Sequence, residues 1–462
     1  MGSNLDDLGA DSLVAIEIIS KLNEAFGVDI STTEFASMVD VASIFTLIPG
    51  ASDVDSVQTP ITSPSKSLPA SSDSSNDGAA AFDTETNLTE NKEGTTSTKN
   101  NAASIHAAFQ EIRHSFDAHA KTTNYSGDWD KVYPEQLKTV TAFIIEAFEK
   151  LDCPIKNFRQ GEKLPAVKST LDKYRREILR LWEILEEAGV VEKIGDEFAC
   201  GPAAKDYDNK AMSAEYLSAK LLSEFPHYLP MKNLVDLVGP QLADCLTGEV
   251  NPISLLYGDE KGRSLVDDFN FNTPDALAAV KVLCDFVSAI IRSRIFEHEP
   301  LHILEVGAGT GGTTKHLIPF LQAIGLPFTY TFTDLSTSLV TRAMKTTFKD
   351  TKNMKFMKLN IEETPPEKLL GRHHIVVSTN CVHATRDLRY SLSNIHKLLR
   401  PNVGCVVLLE GTQKLAWLDL VWGLLDGWWL FGDGRRFAMQ SAWAWERDMQ
   451  AAGFPTLTDP ME

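Results

Sequence analysis

A histidine paired with a carboxylate can take a proton from carbon. A glycine-rich turn can bring a ligand against the backbone. The chain holds eleven histidines, so position has to separate them. His383 follows the apolar run Ile375 to Thr379, in the string Asn380-Cys381-Val382-His383. His373 and His374 precede that run, and His316 and His396 fall in helix-like stretches. Glu410 closes another apolar run, Val403 to Leu409. If these runs are neighbouring strands, Glu410 reaches the imidazole, fixes its tautomer and stabilises its cation. Upstream, His302 to Val306 leads into Gly307-Ala308-Gly309-Thr310-Gly311-Gly312, and a helix begins near Thr313. Asp334 ends the run Phe328 to Thr333, and Asn360 ends Lys355 to Leu359.

Two cofactors fit the glycine string. Gly307, Gly309 and Gly312 match GxGxxG, a dinucleotide pattern. Glu305, Gly307, Gly309 and Gly311 match an acid followed by alternating glycines, which suggests S-adenosylmethionine. Asp334 can accept both ribose hydroxyls of either cofactor, and the Asn360 amide can hold an adenine. These residues all stand at carboxyl ends of strands, the edge where open parallel sheets bind ligands. Short apolar runs alternate with amphipathic helices over 298–462, which predicts an α/β domain with a parallel sheet.

The rest of the chain must position that edge. Residues 105–297 read as a mainly helical subdomain, and 1–50 as a compact amphipathic segment. Between 51 and 100 there are 18 Ser plus Thr, with Phe82 the only aromatic. That composition cannot offset chain entropy by burial, so 51–104 reads as a disordered linker. The formal net charge of −19 argues against a nucleic-acid or anionic-membrane surface. The most apolar window, Leu415 to Phe431, is broken by Asp419 and Asp426, so no membrane span is expected. Six cysteines without a CxxC pair predict reduced core thiols in a cytoplasmic protein, with neither disulfides nor a metal site.

In the first fifty residues, Leu13, Ile16, Ile19, Leu22 and Phe26 line one face of a helix that Gly27 ends. Asp11 or Ser12 can cap it. The string Leu8-Gly9-Ala10-Asp11-Ser12-Leu13 resembles the acyl and peptidyl carrier proteins. The resemblance implies that Ser12 carries a phosphopantetheine arm. A helix N-terminus suits that phosphodiester. Carriers place a helix and a long loop before this serine, so the carrier is expected to be partial.

The strings LEVGAGTGG, FTDLS, STNCVHATRDLRYSLSNIHKLLRP, VVLLE and DLVWGLLDGWWLFGDGRR resemble the C-methyltransferase domain of fungal non-reducing polyketide synthases. This resemblance implies a class I, Rossmann-like, S-adenosylmethionine-dependent fold with a helical N-terminal subdomain that helps form a substrate tunnel. It implies a His383–Glu410 pair, a cofactor held at Glu305, Gly307, Gly309, Gly311, Asp334 and Asn360, and no metal. The implied substrate is a β-ketoacyl thioester on a carrier, with other synthase domains as partners. Methylation of oxygen or nitrogen, NAD binding, or a non-catalytic carrier-binding module remain alternatives. Asn360 stands where many methyltransferases carry an acid.

Several further readings are open to the structure. Ser169 to Cys200 resembles a winged helix and reads as a structural or docking unit. Trp417, Trp422, Trp428, Trp429 and Phe431 are candidate cover for the site, with core packing favoured for most. Tyr125, Tyr133 and Tyr257 are candidates to hold a substrate carbonyl. Arg435 and Arg436 are either a phosphate contact or a solvated turn. Ala451-Ala452-Gly453-Phe454 reads as the exit before a sixth strand, so the domain is expected to be truncated at its C-terminus.

Overall fold

The structure is a computed structural model that describes residues 103–293 and 299–455. Ser12, the carrier helix and the linker lie outside the described residues.

Five parallel strands form the central sheet: β1 (Leu301–Val306), β2 (Phe328–Asp334), β3 (Met354–Lys358), β4 (Ile375–Thr379) and β5 (Cys405–Leu409). Their order is β3-β2-β1-β4-β5. The central strands are rich in β-branched and aromatic residues and buried on both faces, as a covered parallel sheet requires. Alternation assigns the two cores. Leu301, Ile303, Tyr330, Ile375 and Val377 share one core with helices Pro274–Arg292 and Gly312–Ile324. Leu304, Val306 and Val376 share the other with helices Leu388–Leu398 and Ala442–Ala451.

A separate helical core contains Tyr133–Lys150, whose apolar face buries Val140, Ile144 and Phe148, and Arg175–Glu187, which buries Leu181, Ile184 and Leu185. An antiparallel pair, Val191–Ile194 with Glu197–Cys200, follows the second helix. Trp182 stacks on Phe198 there at 4.7 Å. Sequence order does not separate the cores. Pro274–Arg292 precedes β1 yet packs on the sheet, whereas Ala416–Trp422 follows β5 yet packs in the helical core. The chain therefore crosses back beside the sheet's carboxyl edge. Among the described residues no helix is long and apolar enough to cross a membrane.

Candidate active site

Strands β4 and β5 are direct parallel neighbours, with Thr379 opposite Leu409. The residues that follow them therefore emerge side by side. His383 lies in a short 3-10 turn, Val382–Ala384, and Glu410 immediately follows β5. His383 Nδ1 and Glu410 Oε2 are 2.7 Å apart, and their side chains are 7% and 3% exposed. Glu410 Oε1 accepts the backbone N–H groups of Cys381, at 3.1 Å, and Val382, at 2.8 Å. One carboxylate thus fixes both the ring and the backbone that carries it. With Nδ1 turned to Glu410, Nε2 is the nitrogen left for proton transfer. Asn380, just before the turn, holds a left-handed φ of 46°, which asparagine tolerates better than most residues. The Trp428 ring meets the imidazole edge-on at 5.5 Å.

The glycine loop adjoins this turn. Gly307, Gly309 and Gly311 all have positive φ, whereas Gly312 simply opens the following helix. The left-handed positions therefore follow the alternating pattern. A Cβ on Gly307 would strike the Cys381 sulfur, so the loop and the His383 turn pack against one another. A Cβ on Gly309 would meet only the Gly307 carbonyl oxygen, at 4.0 Å, and the Gly309 N–H donates to Asp334 Oδ2 at 2.8 Å. Asp334 Oδ1 accepts from Ser336 N at 2.8 Å. Hydroxyls tie this edge together: Thr313, in the first turn of helix Gly312–Ile324, to Thr379 of β4 at 2.7 Å, and Thr333 of β2 to the Glu305 carbonyl of β1 at 2.6 Å.

The remaining candidates are placed differently. Glu305 is buried beneath the loop, where its Oε2 accepts from Tyr330 at 2.6 Å and from Thr314. Burial pushes its pKa up to about 7, against the pull of those two donors. Asn360 has both amide atoms engaged locally: Oδ1 accepts from Glu362 N at 3.0 Å, and Nδ2 donates to Glu363 at 2.9 Å. Each amide atom of Asn360 thus makes one local bond, as each carboxylate oxygen of Asp334 does.

Tyr133 donates to Glu187 at 2.9 Å, and Tyr125 packs on Phe116. Tyr257 lines a cavity of about 90 Å³ with Thr310, Asp267, Ser338 and Arg342. Trp417 packs on Phe269 in the helical core, so of the five aromatics it is Trp428 that touches His383. Arg436 is exposed and pairs with Glu183, while Arg435 is buried and donates to the His383 carbonyl at 2.8 Å. Sequence reasoning missed that last contact. The DGR string of Asp433 to Arg435 marked a turn, but nothing local said which turn it would meet.

The donor set fits S-adenosylmethionine. Left-handed glycines, uncrowded at Gly309, and an acid at the end of β2 suit an adenosyl cofactor. With a histidine–glutamate pair next to that loop, the fold and site define a class I S-adenosylmethionine-dependent methyltransferase. Residues 2–48 match a phosphopantetheine attachment site, 110–198 a methyltransferase helix-turn-helix domain, and 304–405 a methyltransferase domain.

The chain is 37% identical to methylphloroacetophenone synthase of Cladonia uncialis, over 98% of this chain and 19% of that protein. It is 36% identical to the non-reducing polyketide synthase prhL of Penicillium brasilianum, over 98% and 18%. The solved CMeT domain of the citrinin polyketide synthase is 35% identical, with a TM-score of 0.71, over 77% of this chain and 92% of that domain. The CurJ carbon methyltransferase, 21% identical with a TM-score of 0.65, shares the fold over 76% and 92%. The chain belongs to the fungal non-reducing polyketide synthase family, as a phosphopantetheine attachment segment with an S-adenosylmethionine-dependent C-methyltransferase. It spans less than a fifth of the length of the curated synthases named here.

Proposed function

We propose that the chain methylates the α-carbon of a β-ketoacyl thioester carried on a phosphopantetheine arm. The observation that supports this reading most is the buried 2.7 Å His383–Glu410 pair packed beside the glycine loop. The α-carbon lies between two carbonyls, so its proton is acidic for carbon. His383 Nε2 takes that proton, and Glu410 holds the ring and balances the imidazolium. S-adenosylmethionine supplies an electrophilic methyl group, held by Gly307, Gly309, Gly311 and Asp334. Glu305 braces the loop from beneath. Trp428 covers one side of the imidazole and keeps water from the enolate.

Ser12, within the matched attachment segment, is the residue we assign to the arm. Carrier-bound acyl chains and the other synthase domains are the partners of this reading. A net charge of −19 gives nucleic acid no footing. The cytoplasm is the compartment we assign.

Calorimetry separates the cofactor readings. S-adenosylhomocysteine is expected to bind and NADH not to bind; the reverse would overturn the proposal. Incubation with coenzyme A and a phosphopantetheinyl transferase should add one arm to the chain and none to Ser12→Ala. An arm on that variant would remove Ser12 from its role.

A further inference from the structure

The turn that carries His383 is tied at both ends. Glu410 holds the entering N–H groups. A strap, residues 431–435, holds the leaving side. Gly432 N donates to the Arg386 carbonyl at 2.9 Å. Asp433 Oδ2 accepts from Leu388 N at 3.1 Å, at the start of helix Leu388–Leu398. Arg435 makes the closest ties. Its Nη1 donates to the His383 carbonyl at 2.8 Å and its Nη2 to the Thr385 carbonyl at 2.5 Å. Its Nε sits 2.9 Å from both Asp433 oxygens, and the side chain is only 4% exposed.

The strap is also anchored away from the sheet. Trp428, just upstream, donates from Nε1 to Asp419 at 3.1 Å. Asp419 accepts from Arg180 Nε at 2.7 Å, on helix Arg175–Glu187 of the helical core.

We propose that Arg435, oriented by Asp433, is a positioning residue that sets where the His383 imidazole points. The proposal rests on the reading of His383 as the base. The His383 carbonyl is bonded to the same backbone carbon as the ring's stem, so moving that carbonyl swings the imidazole. A planar fork suits two carbonyls at once, whereas a lysine ammonium is a single point of charge. A misplacement near 1 Å costs about 100-fold in rate, so loss of the fork should appear in turnover rather than in binding.

The test uses the full chain with an acetoacetyl-pantetheine thioester and S-adenosylmethionine. Arg435→Met should lower kcat about tenfold or more, while the thioester KM and S-adenosylhomocysteine affinity stay within about twofold. Arg435→Lys should recover part of the loss. Amide exchange over 381–388 should speed up in Arg435→Met. Unchanged kcat in a folded Arg435→Met protein would overturn the proposal. So would a parallel loss of both affinities, which would mark Arg435 as a ligand contact or a general structural prop.

Should Arg435→Met fail to fold, Asp433→Asn is read by the same split. It keeps the guanidinium and weakens its orientation, so a smaller kcat loss is expected and an unchanged kcat contradicts the proposal. His383→Ala separates the two readings. Turnover retained there removes the base itself; turnover lost there, with Arg435→Met fully active, removes only the positioning role.

Discussion

Strand β4 carries histidine at both ends, and the two ends differ in what their rings are free to do. At the amino end, His374 accepts the His302 backbone N–H on Nδ1 at 3.0 Å and faces Glu299 and Arg400 with Nε2. His373 is buried, hydrogen-bonded to the Leu398 carbonyl, and burial lowers its pKa to about 4. At the carboxyl end, His383 engages Glu410 through Nδ1, and Nε2 remains for chemistry. Both ends therefore hold a histidine near a glutamate. The comparison teaches that the pair alone is not a catalytic signature. At His374 both nitrogens serve the fold, and the carboxylate is 39% exposed. At His383 the carboxylate is buried, fixed by backbone N–H groups, and set beside the glycine loop.

The sharpest way to break the comparison is to remove each ring. His383→Ala should lower turnover by about 100- to 10,000-fold, the range for loss of a general base. S-adenosylhomocysteine should still bind by calorimetry. His374→Gln should leave kcat within about twofold and lower the unfolding free energy by roughly 1–3 kcal/mol as the groups it bonds lose their partner. Equal kinetic losses at the two ends would erase the distinction.

The carboxylates give a smaller contrast. Glu410→Gln should cost about 10- to 1,000-fold in kcat, less than the histidine change, because its one amide oxygen can serve either the ring or the backbone N–H groups but not both. Glu299→Gln should leave kcat unchanged. A larger loss at Glu410 than at His383 would mean that the carboxylate does more than orient.

The smallest effect concerns Glu305 beneath the loop. Burial raises its pKa from 4.5 to about 7. Between those values the folded chain keeps a proton that the unfolded chain has released. Its contribution to stability is therefore full below 4.5 and declines as pH rises to about 7. Glu305→Gln removes that decline. The variant's unfolding free energy relative to the parent should rise by roughly 3 kcal/mol between pH 4.5 and pH 8. A pH-independent difference in denaturant titrations would contradict the buried, proton-holding carboxyl.

Much of the sheet edge was legible in sequence because strand periodicity is local. Apolar runs placed the strands, and the residue after each run placed Gly307, Asp334, His383 and Glu410 on one edge. The adjacency of β4 and β5 was a condition in that reading, and the strand order meets it. What sequence left hidden is non-local. Asn360 read as a cofactor contact from its place at a strand end, and its local bonds to Glu362 and Glu363, two and three residues on, could not be read from that place. Trp428 was one of five candidate covers that the sequence could not rank, and the return of 416–436 past the sheet edge is what brings it to His383. Arg435 read as a phosphate contact or a solvated turn because, beyond Asp433 two residues before it, its partners lie some fifty residues upstream.

The central claim is carbon methylation with His383 as base. It is tested most directly by giving the full chain an acetoacetyl-pantetheine thioester with methyl-labelled S-adenosylmethionine, then locating the label by fragment mass spectrometry. The account predicts label on the α-carbon with the parent chain and essentially none with His383→Ala. Label on oxygen, or α-carbon label at the parent rate without the imidazole, would contradict it.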